Sequence, residues 1–116
     1  QRFLDRIASD DPPRAERLGA LQHLLPPRTA GVAALLDGAP HADVVFVWHI
    51  GFDGLSSVAA SIRRLGNEAP PCRVVFRRVP RSTVDDAADF TRWLDDEWLR
   101  LDAEVDAAFA AVAAQR

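Results

Sequence analysis

The chain has 116 residues, a formal net charge of −3, and an even balance of 48% apolar and 27% charged residues. That balance describes one globular domain and excludes a disordered tail, and no apolar run approaches the ~20 residues of a membrane span. The single cysteine, Cys72, excludes an internal disulfide, so nothing points to an oxidising compartment, and no signal peptide is visible. A cytoplasmic location is expected.

All fourteen basic residues are arginine, and Met, Lys and Tyr are absent, a pattern that GC-rich coding explains better than selection for function. Charge is unevenly spread. Residues 1–82 carry eleven Arg against eight acids, whereas residues 83–116 carry three against nine. The densest basic stretch runs from Arg63 to Arg81 and includes Arg64, Arg73, Arg77 and Arg78. It reads either as a solvated face or as a surface for a phosphate-bearing ligand or an anionic membrane.

In chain order, Phe3, Leu4 and Ile7 at helical spacing predict a first helix. Asp11-Pro12-Pro13 is a helix entry, with an acidic N-cap and proline in the first turn. This second helix is expected to run through Leu18 and Leu21 and to stop before Pro26-Pro27. Thr29 is placed to cap a short helix from Ala30 to Asp37, ended by Gly38.

Val44-Val45-Phe46-Val47-Trp48 is β-branched and aromatic without polar alternation, which predicts a strand covered on both faces, as in a parallel sheet. Gly51-Phe52-Asp53-Gly54 turns the chain into a helix from about Leu55 to Leu65, and Cys72 to Val79 forms a second strand. Strand–helix–strand implies a right-handed βαβ unit. Ser82-Thr83-Val84-Asp85 has capping-box spacing and is expected to open the last helix. Phe90, Trp93, Leu94, Trp98, Leu101, Val105, Phe109 and Val112 then hold one apolar stripe over roughly 40 Å. The fold class is α/β.

No complete catalytic signature is present: no Gly-rich phosphate loop, no Gly-x-Ser-x-Gly elbow and no cysteine pairs for zinc. His49 and Asp53, just past the carboxyl end of the first strand, are where α/β proteins place ligand contacts; the alternative is a structural bond from the ring to a backbone carbonyl or turn carboxylate. A metal site adding His41 and Asp43, or a nucleophile at Ser56 or Ser57 served by His49, has little support. Pro26-Pro27-Arg28-Thr29 joins a rigid turn, a cation and a helix start, a combination suited to an anionic group. Its structural alternative is a turn whose arginine pairs with a nearby acid.

Leu25-Pro26-Pro27-Arg28-Thr29-Ala30-Gly31, Ala42-Asp43-Val44-Val45-Phe46-Val47 and His49-Ile50-Gly51-Phe52-Asp53-Gly54-Leu55 together resemble the C-terminal half of lysophosphatidate (glycerolipid) acyltransferases. Arg77-Arg78-Val79-Pro80 and the segment from Phe90 to Trp98 resemble a strand and the tryptophan-bearing last helix of that family. Gly31-Val32 stands where Gly-Phe is common in it. The resemblance implies part of a mixed sheet flanked by helices and ending in a long amphipathic helix, with residues 1–116 as one segment of an acyltransferase domain. It also implies transfer from acyl-CoA or an acyl carrier protein to a lysophospholipid such as lysophosphatidate, in phospholipid biosynthesis, on the inner face of a membrane. It calls for no cofactor and no nucleic acid.

The family's His-x4-Asp box and Glu-Gly-Thr-Arg segment are not in this chain; His49 and Asp53 have only three residues between them. The resemblance therefore places the catalytic residues upstream of Gln1 and predicts an inactive isolated chain. Arg28, Pro27, His49 and Asp53 are the expected substrate-binding residues. The competing expectation is a non-catalytic α/β interaction module that uses the Arg63–Arg81 face or the long helix.

Overall fold

The computed structural model describes residues 2–51, 62 and 72–115. Its elements are α1 (Arg2–Asp10), α2 (Pro12–Leu18), α3 (Thr29–Gly38), β1 (Val44–Ile50), β2 (Arg73–Val79), α4 (Arg81–Asp85) and α5 (Phe90–Ala114). Helix and strand are mixed as expected, but the sheet is not parallel. β1 and β2 pair antiparallel, from Val44 opposite Val79 to Ile50 opposite Arg73, and form a two-stranded sheet among the described residues. Residues 51–72 thus join neighbouring strand ends, and the right-handed crossover inferred from the sequence is replaced by a ribbon. The expected turn residues Phe52, Asp53 and Gly54 and almost all of the expected Leu55–Leu65 helix lie outside the described residues; Gly51, just before them, has φ 95°, which glycine adopts without a Cβ clash.

The ribbon buries one face. Phe46, Trp48 and Ile50 are buried, whereas Val45 and Val47 are 52% and 48% exposed, so the expectation of a strand covered on both sides fails. Against the buried face lies α5, whose Leu94, Leu101, Val105 and Ala108 join Phe46, Trp48, Ile50, Val79 and Val84 in one core. Val32 and Leu36 of α3 pack on its margin. Burying a side chain of this size contributes about 1.5–3 kcal/mol, which is why the stripe on α5 fixes the helix to the ribbon.

Three of the boundaries that differ from the sequence reading do so for a visible reason. α2 ends at Leu18, where the Gly19 N–H bonds the Ala15 carbonyl and the Ala20 N–H bonds the Arg17 carbonyl. Arg28, not Thr29, is the N-cap of α3, and it makes no side-chain capping bond. The capping-box residues Ser82–Asp85 belong to the separate five-residue α4; α5 starts after Asp89, whose carboxylate accepts the Arg92 N–H. Among the described residues, no helix is long and apolar enough to cross a membrane.

Candidate functional site

The turn from Leu25 to Thr29 is held from two directions. Arg14, on α2, donates from Nε and Nη2 to the two oxygens of Asp95 at 2.8 and 2.9 Å, a side-on fork. The same Nη2 reaches the Thr29 hydroxyl at 3.1 Å and the Pro27 carbonyl at 3.4 Å. Asp95 is fully buried, and its carboxylate raises the Arg14 pKa through this hydrogen bond, against a smaller opposing effect of burial. Arg17 lies 3.6 Å from the same carboxylate. From the other side, the Trp98 indole N–H donates to the Leu25 carbonyl at 2.7 Å.

One helical turn further along α5, Asp102 fixes the preceding segment. Its carboxylate accepts the backbone N–H groups of Gln22, His23 and Leu24 at 2.9, 2.8 and 2.8 Å. Burial alone pushes the Asp102 pKa up, but the three amide donors together outweigh it and the net shift is downward. Asp106 then takes the His23 ring nitrogen at 3.0 Å. Asp95, Trp98, Asp102 and Asp106 therefore form a polar seam beside the apolar stripe of α5. The sequence reading missed Asp95 and Asp102, although their spacing of three and four residues from Trp98 already places them on one helix face.

With the turn fixed by others, Arg28 is left exposed at the start of α3. It makes no ion pair among the described residues; its guanidinium lies 5.8 Å from the Phe3 ring centroid. The structural role considered for Arg28, pairing with an acid to hold the turn, is filled instead by Arg14. Pro27 is buried beside it. Arg28, Arg6, Arg14, Phe3 and Gly31 border a shallow basin of about 620 Å³. A Cβ on Gly31 would meet nothing within 4 Å, so the backbone at this helix start is openly approachable. The first amides of a helix lack intrahelical acceptors, and they add a positive field to that of Arg28.

His49 is on the solvent-facing side of β1 opposite Val74, engaged in an interaction of its own, and it borders a different cavity, with His23 and Phe109. The structure thus brings Pro27 and Arg28 together and leaves His49 apart from them; Asp53 lies outside the described residues, as do Ser56 and Ser57. His41 is exposed, and Asp43 is committed to the strand end, accepting from the Arg81 N–H at 2.8 Å and Arg78 Nε at 2.7 Å. The Arg81 amide and the Arg78 guanidinium hold its pKa below the usual carboxylate range.

The basic stretch is not one uniform face among the described residues. Arg73 and Arg77 point with the buried side of β2, Arg78 pairs with Asp43, and Arg81 donates to the Leu36 and Ala39 carbonyls at the end of α3. Against family models, curated proteins and solved structures, the chain gives no match.

Proposed function

We propose that this chain is the acceptor-holding C-terminal portion of a phospholipid-biosynthesis acyltransferase, with Arg28 binding the phosphate of a lysophospholipid such as lysophosphatidate. The observation that carries the reading is Arg28 itself: an exposed guanidinium without a carboxylate partner among the described residues, at the first turn of α3, on a basin that also includes Arg6. The resemblance of Leu25–Gly31 to the acyltransferase family supplies the substrate class. In such a transfer the acceptor's hydroxyl oxygen forms an ester with the acyl carbon, the thioester C–S bond breaks, and the hydroxyl proton passes to a general base. The chain carries no His-x4-Asp box for that base, so its own share is binding and orientation, and alone it is expected to show no transfer from acyl-CoA.

The test is titration of the chain with lysophosphatidate and with the matching monoacylglycerol, followed at the Ala30 and Gly31 amides by NMR. Lysophosphatidate should shift both amides and monoacylglycerol should not. Charge-assisted contacts contribute about 1.5–3 kcal/mol, so Arg28→Ala should weaken binding roughly tenfold or more, and Arg28→Lys should recover only part. Equal binding of the two lipids, or an unchanged affinity in Arg28→Ala, removes Arg28 from the site. Turnover by the chain alone that is lost on His49→Ala would instead move the chemistry to His49.

A further inference from the structure

A second arginine site lies on the opposite side of α5. A groove of about 480 Å³ runs between the buried side of the ribbon, at Trp48, Val75 and Arg77, and the small side chains Ala107, Ala108 and Ala111 of α5. Arg77 is anchored at one end only: Nη1 bonds Glu97, and the guanidinium carbon lies 5.0 Å from the centroid of the Phe46 ring. Its Nε and Nη2 are buried with no acceptor among the described residues. This is the same edge that Arg14 gives to the Asp95 carboxylate. A guanidinium edge offers two parallel N–H donors whose spacing matches the two oxygens of a carboxylate.

Arg73, on the same face of β2, also lines the groove; it lies 5.6 Å from the Trp48 ring centroid and has no carboxylate partner among the described residues. Glu104 is the acid facing the groove, but its oxygens are occupied by the Trp48 indole N–H at 3.1 Å and by Arg100 at 3.5 Å. Apart from Glu104 the walls beyond the arginines are apolar, and the volume is in the range of small-molecule sites.

We infer that this groove is a binding site for an organic monocarboxylate with an apolar body, its carboxylate on the Nε–Nη2 edge of Arg77 and its body against Ala107, Ala108 and Ala111. The Arg77 side chain lines the groove and is 21% exposed, while its Nε and Nη2 are covered, so binding there requires the guanidinium to rotate toward the groove.

Calorimetric titration of the 116-residue chain with 2-naphthoate and with the isosteric, uncharged 2-naphthamide tests this, with the Trp48 indole proton followed by NMR. The naphthoate should bind at one site and shift Trp48, and the amide should bind about tenfold more weakly or worse. Arg77→Gln should abolish the preference for the carboxylate. Arg77→Lys, which keeps the charge facing Glu97 but loses the fork, should lose most of it, and Arg73→Ala should weaken naphthoate several-fold with Tm unchanged. No naphthoate binding, equal affinity for acid and amide, or a preference that survives in Arg77→Lys would overturn the assignment. Equal competition by inorganic phosphate would show a simple anion site and overturn the carboxylate assignment as well.

Discussion

Arg14 and Arg77 flank the same helix and present the same guanidinium edge to different surroundings. Arg14 meets Asp95, Thr29 and Pro27, so each polar atom on that edge has a partner and the segment around it is tied down. Arg77 meets Glu97 at one nitrogen and leaves two buried donors open. A buried donor left unmade costs about 1–3 kcal/mol, so the first arginine is an anchor while the second is held in readiness at the fold's expense. The difference teaches that burial alone does not say how fully a cation is partnered; Arg17, beside Asp95, also keeps a buried Nε without an acceptor, but Arg77 leaves a whole two-donor edge so.

The comparison breaks most sharply at Asp95. Removing one partner of a buried ion pair strands the other, at a cost of about 3–5 kcal/mol. Arg14→Ala and Asp95→Ala should each lower stability by that order in urea melts, and the double variant should lose less than the sum. Arg77→Met should cost clearly less by the same measurement, since it removes two donors that have no acceptor and the Glu97 it strands keeps some access to water. Comparable losses at Arg14 and Arg77 would erase the distinction.

Asp102 comes next. Asp102→Ala leaves three amides without their acceptor and should cost roughly 2–3 kcal/mol. Its folded pKa lies below the unfolded value of about 3.9, so the stabilisation is fully present above that value and is lost as the pH falls through the folded pKa. Asp43, also shifted downward, acts with the same sign. Stability should therefore drop on acidification below about pH 4, and Asp102→Asn should flatten part of that limb in melts taken between neutral and acid pH. An acid limb of the same steepness in the variant would place the effect elsewhere.

Arg28 should matter least to the fold. An exposed cation over an aromatic ring contributes about 0.5–1 kcal/mol, so Arg28→Ala should move Tm by only a few degrees while changing phosphate binding. A loss as large as that of Arg14→Ala would make Arg28 a structural residue.

Much of the element order was legible from local signals. Asp11-Pro12-Pro13 marks a helix start, Val44–Trp48 marks a strand, and the spacing from Phe90 to Val112 marks the long helix. Partnership across the chain was not. A run of apolar residues does not say which of its two faces is covered, and Val45 and Val47 look like Phe46 and Trp48 until α5 is in place. Leu18 ends α2 while Leu21 still fits its pattern; the amides just beyond are taken by Asp102, about eighty residues away. Of the candidate site, the turn and helix start around Arg28 could be read from Pro26-Pro27-Arg28-Thr29. That Arg28 is released from structural duty could not, because the residue that releases it, Arg14, precedes it by fourteen positions and is itself fixed by Asp95.

The bonds from Asp102 to Gln22, His23 and Leu24 also set a clock. These amides sit in irregular backbone, where hydrogen exchange is ordinarily fast, yet their acceptor lies on the last helix. They exchange only when α5 separates from the N-terminal segment, so their protection should equal that of the helix centre and exceed that of the Ala20 amide, which bonds only locally to the Arg17 carbonyl. The same separation delays them on the way in. Contacts this distant in sequence require loop closure first, so in a refolding pulse-labelling experiment the three should gain protection together and after the helices they connect.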